Sequence, residues 1–68
     1  MKVKVVLIPE NSEKELEIPE GSKVLDVLKK LGLNRETHVV KLNGEIVVEE
    51  ESVREGDVLE IIRVVSGG

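Results

Sequence analysis

The sequence is marked first by what it lacks: its 68 residues include no cysteine, alanine, phenylalanine, tyrosine or tryptophan. Without cysteine there is no disulfide, no zinc–thiolate site and no thiol nucleophile. Without aromatic rings, the chain has none of the stacking platforms on which nucleic-acid-binding proteins often depend. Residues 35–68 carry eight acidic and four basic side chains, and this negative excess opposes phosphate. We therefore expect no nucleic-acid partner.

Long apolar runs and groups of histidines are also missing. No segment approaches the ~20 apolar residues of a membrane-spanning helix, and the N-terminus lacks a signal-peptide pattern. His38 is the only histidine, so no histidine pair can bind a metal, and no Ser/His arrangement is evident. These absences favour a cytoplasmic domain that contacts no membrane, binds no metal or cofactor of its own, and is not an enzyme.

β-Branched residues dominate what is present, since 18 of the 27 apolar residues are valine or isoleucine. Such side chains fit a pleated sheet better than a helix. Apolar and charged residues alternate over Met1–Ile8 and again over Glu13–Ile18, with turn-forming residues between them. We interpret these segments as the two strands of a hairpin. The side chains predicted to face the core are Val3, Val5, Leu7, Leu16 and Ile18.

One helix is predicted over residues 23–31, where apolar residues recur at helical spacing. Ser22 is the predicted N-cap. Gly32 is the predicted residue just past the helix, with Leu33 placed for the hydrophobic contact that often follows it. The helix is too short to be stable alone and must pack on the sheet. The predicted apolar stripe consists of Val24, Leu25, Val27, Leu28 and Leu31.

Three more strands are predicted after the helix. Val39–Leu42 is the third, and Asn43-Gly44 is a strong hairpin signal because both residues tolerate positive φ. Ile46–Val48 is then the fourth strand, and Val58–Val65 is the last. The predicted inward side chains are Val40, Leu42, Val53, Leu59 and Ile61.

The resulting order is ββαβββ. Pairing the first and last strands side by side would close the sheet around the helix, which predicts an α+β fold of the β-grasp (ubiquitin-like) type with a mixed sheet of four to five strands. We expect one domain over residues 1–65 and a flexible Ser-Gly-Gly tail over residues 66–68.

The tail is the segment where chemistry is expected. A terminal carboxylate is ionised at neutral pH and is a poor electrophile, but conversion to an acyl adenylate gives it a good leaving group. Gly67 and Gly68 have no Cβ atoms, so they could thread a narrow channel into the active site of a partner. The alternative interpretation is that the last residues fray and carry no function.

Several short motifs together resemble a known family. The hairpin Val39-Val40-Lys41-Leu42-Asn43-Gly44-Glu45, the turn Glu55-Gly56-Asp57 and the closing Val64-Val65-Ser66-Gly67-Gly68 are similar to those of the ubiquitin-like sulfur carriers ThiS and MoaD and of the small archaeal modifier proteins. The similarity extends over the whole chain, including Gly21-Ser22 and Leu31-Gly32 at the helix ends.

The resemblance implies that a ubiquitin-activating-type enzyme uses ATP to adenylate Gly68. The product would be a thiocarboxylate for thiazole, molybdopterin or tRNA thiolation, delivered to a sulfur-accepting synthase, or a conjugate to lysine targets. Ser66 and Gly67 would be recognised as the tail, and a monomer is expected. The docking face for the enzyme would consist of Ile62, Val64 and Val6. A non-covalent β-grasp interaction module without C-terminal chemistry is the alternative.

Overall fold

The computed structural model describes residues 1–64, which form five strands and one helix in the predicted order. The sheet order is β2-β1-β5-β3-β4. β1 and β5 are parallel neighbours, and the other neighbouring pairs are antiparallel. The predicted β-grasp arrangement is therefore confirmed. The elements are β1 (Lys2–Ile8), β2 (Ser12–Glu17), α1 (Val24–Leu31), β3 (His38–Leu42), β4 (Glu45–Val47) and β5 (Val58–Arg63).

The core lies between α1 and one face of the sheet. Since there are no aromatic side chains, its largest fully buried members are Leu28, Leu59 and Ile61. Within the helical stripe Leu25 is only half-buried. The predicted inward residues Leu7, Leu16 and Leu42 are partly buried against the core. The buried residues are Val3, Val5, Ile18, Val24, Val27, Leu28, Val40, Val53, Leu59 and Ile61.

The predicted N-cap at Ser22 is wrong, because Lys23 occupies the cap position. Ser22 is buried, and its hydroxyl donates to the Pro19 carbonyl at 2.6 Å, whereas an N-cap hydroxyl would accept from a helix amide. The Asp26 carboxylate reaches back to accept the Lys23 backbone N–H at 2.8 Å. The helix start is therefore capped from within its own first turn.

A distant loop completes this cap. The first helical amides have no partner inside the helix, and here the Val24 N–H donates to the Glu51 carbonyl at 2.9 Å. The Leu25 N–H donates to the Glu49 carbonyl at 3.0 Å. The loop of residues 49–51, which we call the acidic loop, thus holds the helix start through its backbone. At the other end Gly32 adopts the expected left-handed conformation, with φ of 71°. No helix within residues 1–64 is long and apolar enough to span a bilayer.

The Asn43-Gly44 hairpin is confirmed, and it shifts β4 by one residue from the prediction. Both turn residues have positive φ, so Glu45 pairs directly with Leu42 and β4 begins there. The Asn43 side chain also fixes the turn to β5, since its Oδ1 accepts the Val58 N–H at 2.9 Å. β5 ends at Arg63, which is earlier than predicted, and Val65 lies outside the described residues.

Replacing Leu28 by alanine should lower the free energy of unfolding by about 2–5 kcal/mol, because it removes a fully buried side chain from the core. Leu25→Ala is the matched control. It truncates the same residue type on the same helix at a half-buried position, and should cost less. Urea denaturation of both variants measures the difference, and equal losses would contradict the described packing.

The N-terminal amine binds the end of β2. The Met1 ammonium donates to the Ile18 carbonyl at 2.7 Å and lies 2.9 Å from Glu17 Oε2. The hydrogen bond with Glu17 raises the pKa of the amine from its ordinary value of 8.0, although desolvation opposes it. The same hydrogen bond lowers the pKa of the Glu17 carboxyl from 4.5.

Stability should consequently fall at both ends of the pH range. A raised amine pKa contributes stability below about pH 8 that is lost as pH rises through the folded value. A lowered carboxyl pKa contributes stability above about pH 4.5 that is lost on acidification. Glu17→Gln should reduce the loss of folding stability at alkaline pH, measured by denaturation at a series of pH values. The carboxylate of Glu13 faces Lys4 instead, so Glu13→Gln should leave that loss unchanged. An equal loss of stability at alkaline pH in the two variants would rule out the Met1–Glu17 pair as the cause.

Candidate functional site at the end of the last strand

The chain leaves the sheet from its central strand at a fixed point. Arg63, the last residue of β5, pairs with His38. The Val64 N–H then donates to the Thr37 carbonyl at 2.9 Å, and the Thr37 N–H donates to the Asn34 carbonyl at 3.1 Å. The loop before β3 therefore holds Val64 in place, and we call Val64 the root of the tail.

The predicted tail residues Ser66, Gly67 and Gly68 lie outside the described residues. Chain geometry still limits where Gly68 can act, because four residues follow Val64. At ~3.3–3.6 Å per residue they reach at most about 13–14 Å from the root. A partner that acts on Gly68 must therefore contact the domain close to the end of β5.

The sheet face opposite α1 carries apolar residues close to this root. Ile62 is half-buried and lies between Ile8 on β1 and Val39 on β3. Val64 is 40% exposed. Val6 lies on the same face as predicted, but it pairs with Glu60 and not with Ile62. The direct neighbours of Ile62 are thus two residues that the sequence interpretation did not include.

A polar row borders these apolar residues. Glu60 pairs with Lys41 on one side and with Val6 on the other. Opposite charges at directly paired positions attract each other across a sheet. Ile62 and its two neighbours lie next to this row. We use the name outer apolar strip for these three residues together with the exposed Val64: Ile8, Ile62, Val39 and Val64.

One hydroxyl–imidazole contact lies beside the root. The Nδ1 of His38 is 2.9 Å from the Thr37 hydroxyl and 2.9 Å from the Asn34 carbonyl oxygen. A carbonyl only accepts, so the second contact requires the proton on Nδ1 and leaves that nitrogen unable to take a proton from Thr37. The arrangement satisfies the loop's hydrogen bonds. Within residues 1–64, no three acidic or histidine side chains come close enough to bind a metal.

Comparisons with known proteins agree with this architecture. The sulfur carrier protein TtuB of Thermus thermophilus is 42% identical over 64 residues, covering 94% of this chain and 95% of its own. A putative molybdopterin converting factor subunit 1 from Pyrococcus furiosus superposes with a TM-score of 0.79 at 25% identity, covering 94% and 98%. The Caldiarchaeum subterraneum ubiquitin superposes with a TM-score of 0.77 at 27% identity, covering 100% and 98%.

The sheet order, the single helix and the last strand at the centre of the sheet define a ubiquitin-like β-grasp protein. The sequence pattern of the ThiS family matches residues 4–68. The chain belongs to this family of small ubiquitin-like sulfur carriers and modifiers.

Proposed function

We propose that this protein is a sulfur carrier whose Gly68 carboxylate is adenylated by a ubiquitin-activating-type enzyme and converted to a thiocarboxylate. The observation that carries the proposal is the exit of β5 from the centre of the sheet, at a root held by Thr37 and beside the outer apolar strip. Similarity to a relative named as a sulfur carrier supports it. The family match through residue 68 includes Ser66-Gly67-Gly68.

The chemistry takes place on the partner and uses its ATP. A Gly68 carboxylate oxygen attacks the α-phosphorus of ATP, and pyrophosphate leaves, which gives an acyl adenylate. A sulfur nucleophile such as hydrosulfide then adds to the acyl carbon, and AMP departs with the bonding electron pair. The domain contributes no group to either step. Its role is to present the carboxylate within a limited distance of a surface that the enzyme recognises.

The outer apolar strip is the proposed docking face. Exposed apolar side chains on adjoining strands are what a transient partner buries. Val64 lies nearest the tail and Ile62 lies at the centre of the strip, so an enzyme bound there has Gly68 within the reach of the last four residues. Val6 lies one row away, beside the Glu60–Lys41 pair, and would contact the edge of such an interface.

The acyl adenylate also has a second fate. Attack by an enzyme thiolate in place of hydrosulfide gives a thioester, from which a lysine amine can take the acyl group to form an isopeptide bond. Similarity to a protein named as a ubiquitin supports this route. A sulfur-accepting synthase is the proposed acceptor on the first route, and lysine side chains are the acceptors on the second.

Deleting Gly67 and Gly68 should abolish activation without unfolding the domain. With ATP and the activating enzyme of its own genome, the intact chain should release pyrophosphate and, with hydrosulfide present, gain the mass of one oxygen-to-sulfur exchange. The truncated chain should do neither. The measurements are pyrophosphate release and intact mass.

An extension by one residue after Gly68 is the second variant, because it keeps both glycines but displaces the carboxylate. It should also be inactive. Pyrophosphate release from the truncated chain, or its absence from the intact chain with every candidate enzyme of the genome, would leave the non-covalent interaction module as the better interpretation.

Val64→Asp should weaken association with the activating enzyme at least tenfold, because binding would bury an unpaired carboxylate. Stability should change by less than about 1 kcal/mol, as for most exposed substitutions. Lys29→Asp is the control, since it places a carboxylate at an exposed position on α1, on the opposite side of the sheet from the outer apolar strip. Calorimetric titration measures both affinities, and equal weakening by the two variants would remove Val64 from the interface.

A further inference from the structure

The second apolar surface of the molecule lies at the β4 edge. Ile46 and Val48 are the most exposed large apolar side chains among residues 1–64, at 70% and 66%. Within the part of the chain that the structure describes, β4 has β3 on one side and no strand on the other. The activation chemistry proposed at Gly68 makes no use of this edge.

The backbone of this edge has unpaired hydrogen-bonding groups. The Asn43 N–H donates to the Val58 carbonyl at 2.8 Å. Because bonding alternates along antiparallel strands, Lys41 is the next residue of β3 whose N–H and C=O point toward β5. Its neighbour on β4, Ile46, therefore directs its own N–H and C=O away from the sheet. The unpaired stretch of backbone is short, since the Val48 carbonyl already accepts the Glu51 N–H at 3.1 Å.

Negative charge flanks this unpaired stretch of backbone on both sides. Glu45 precedes Ile46, and Glu50 and Glu51 follow Val48 closely; all three glutamates are exposed and form no ion pair within residues 1–64. Glu49 differs, because it pairs with Arg35. The edge thus combines unpaired backbone groups and apolar side chains with an excess of carboxylates.

A cleft beside the edge gives room for an added strand. It has a volume of about 360 Å³ and lies between α1 and the β3–β4 hairpin. Val24 and Leu28 of the helix and Val47 of β4 contribute to its lining. Side chains of an added strand that point to the helix side could enter this cleft, while those on the other side would lie against Ile46.

We propose that the β4 edge binds an extended peptide segment of a partner protein, in which apolar residues alternate with lysine or arginine, by adding it as a sixth strand. Backbone pairing would supply affinity, and the glutamates would select for basic side chains. A second copy of this chain is a poor occupant, because it would bring the same glutamates and a net charge of −4.

The opposite edge of the sheet is built differently. β2 exposes Glu13, Glu15 and Glu17 but no large apolar side chain. The Lys30 ammonium donates to the Glu17 carbonyl at 2.9 Å, so one of the edge acceptors of β2 is already used. Charged side chains on an edge strand oppose the addition of another strand. The β4 edge has apolar side chains where β2 has charges.

The test uses the whole chain and a blocked heptapeptide of alternating lysine and valine. Amide chemical shifts should move in a saturable way at Ile46 and Val48, and hydrogen exchange at the Ile46 N–H should slow. The same peptide with glutamate in place of lysine should bind at least tenfold more weakly. Of two peptides methylated at the backbone nitrogens of either valine or lysine, one should lose binding, because only alternate residues of an added strand donate to the edge.

Two variants complete the test. Ile46→Lys replaces an exposed apolar side chain by a charge and should weaken the basic peptide at least tenfold without changing the melting temperature. Glu45→Lys combined with Glu50→Lys should reverse the preference and favour the acidic peptide. Shifts that map to β2, or to Ile8, Ile62 and Val64, would overturn the proposal. So would equal binding of the two peptides, or no saturable binding at millimolar concentration.

Discussion

The parallel pairing of β1 with β5 is the constraint on which the rest of the structure depends. It joins the first strand to the last, so this pair can form only when residues from opposite ends of the chain have been brought together. It also places β5 at the centre of the sheet, and this fixes where the chain emerges at Val64. The alignment of Ile8 with Ile62 follows from the register of this pair, and the register of β3 with β5 adds Val39 to the outer apolar strip.

Local signals in the sequence predicted the elements well, because each is encoded by neighbouring residues. Alternation identified β1 and β2, helical spacing identified α1, and Asn43-Gly44 identified its hairpin. The β-grasp arrangement follows from their order. The sequence did not determine the register, since a shift of β5 by two residues keeps the same side chains facing the core. Alternation places Val6 on the same face as Ile62, but it does not show that Ile8 is the residue of β1 beside Ile62.

The cap at the helix start shows a second limit. Ser22 is a favourable N-cap residue by propensity, yet the amides that it would satisfy are taken by the carbonyls of Glu49 and Glu51, more than twenty residues further along the chain. A backbone partner leaves no trace in residue identity. The acidic loop therefore has a structural role that its side chains do not reveal.

The root at Val64 also has a mechanical consequence. Because β1 and β5 run in the same direction, a pull on the tail against the start of β1 loads the hydrogen bonds between these strands in shear. They must then break together and not one at a time. The domain should therefore resist such a pull more strongly than a pull that peels β4 from β3, which would open that hairpin bond by bond.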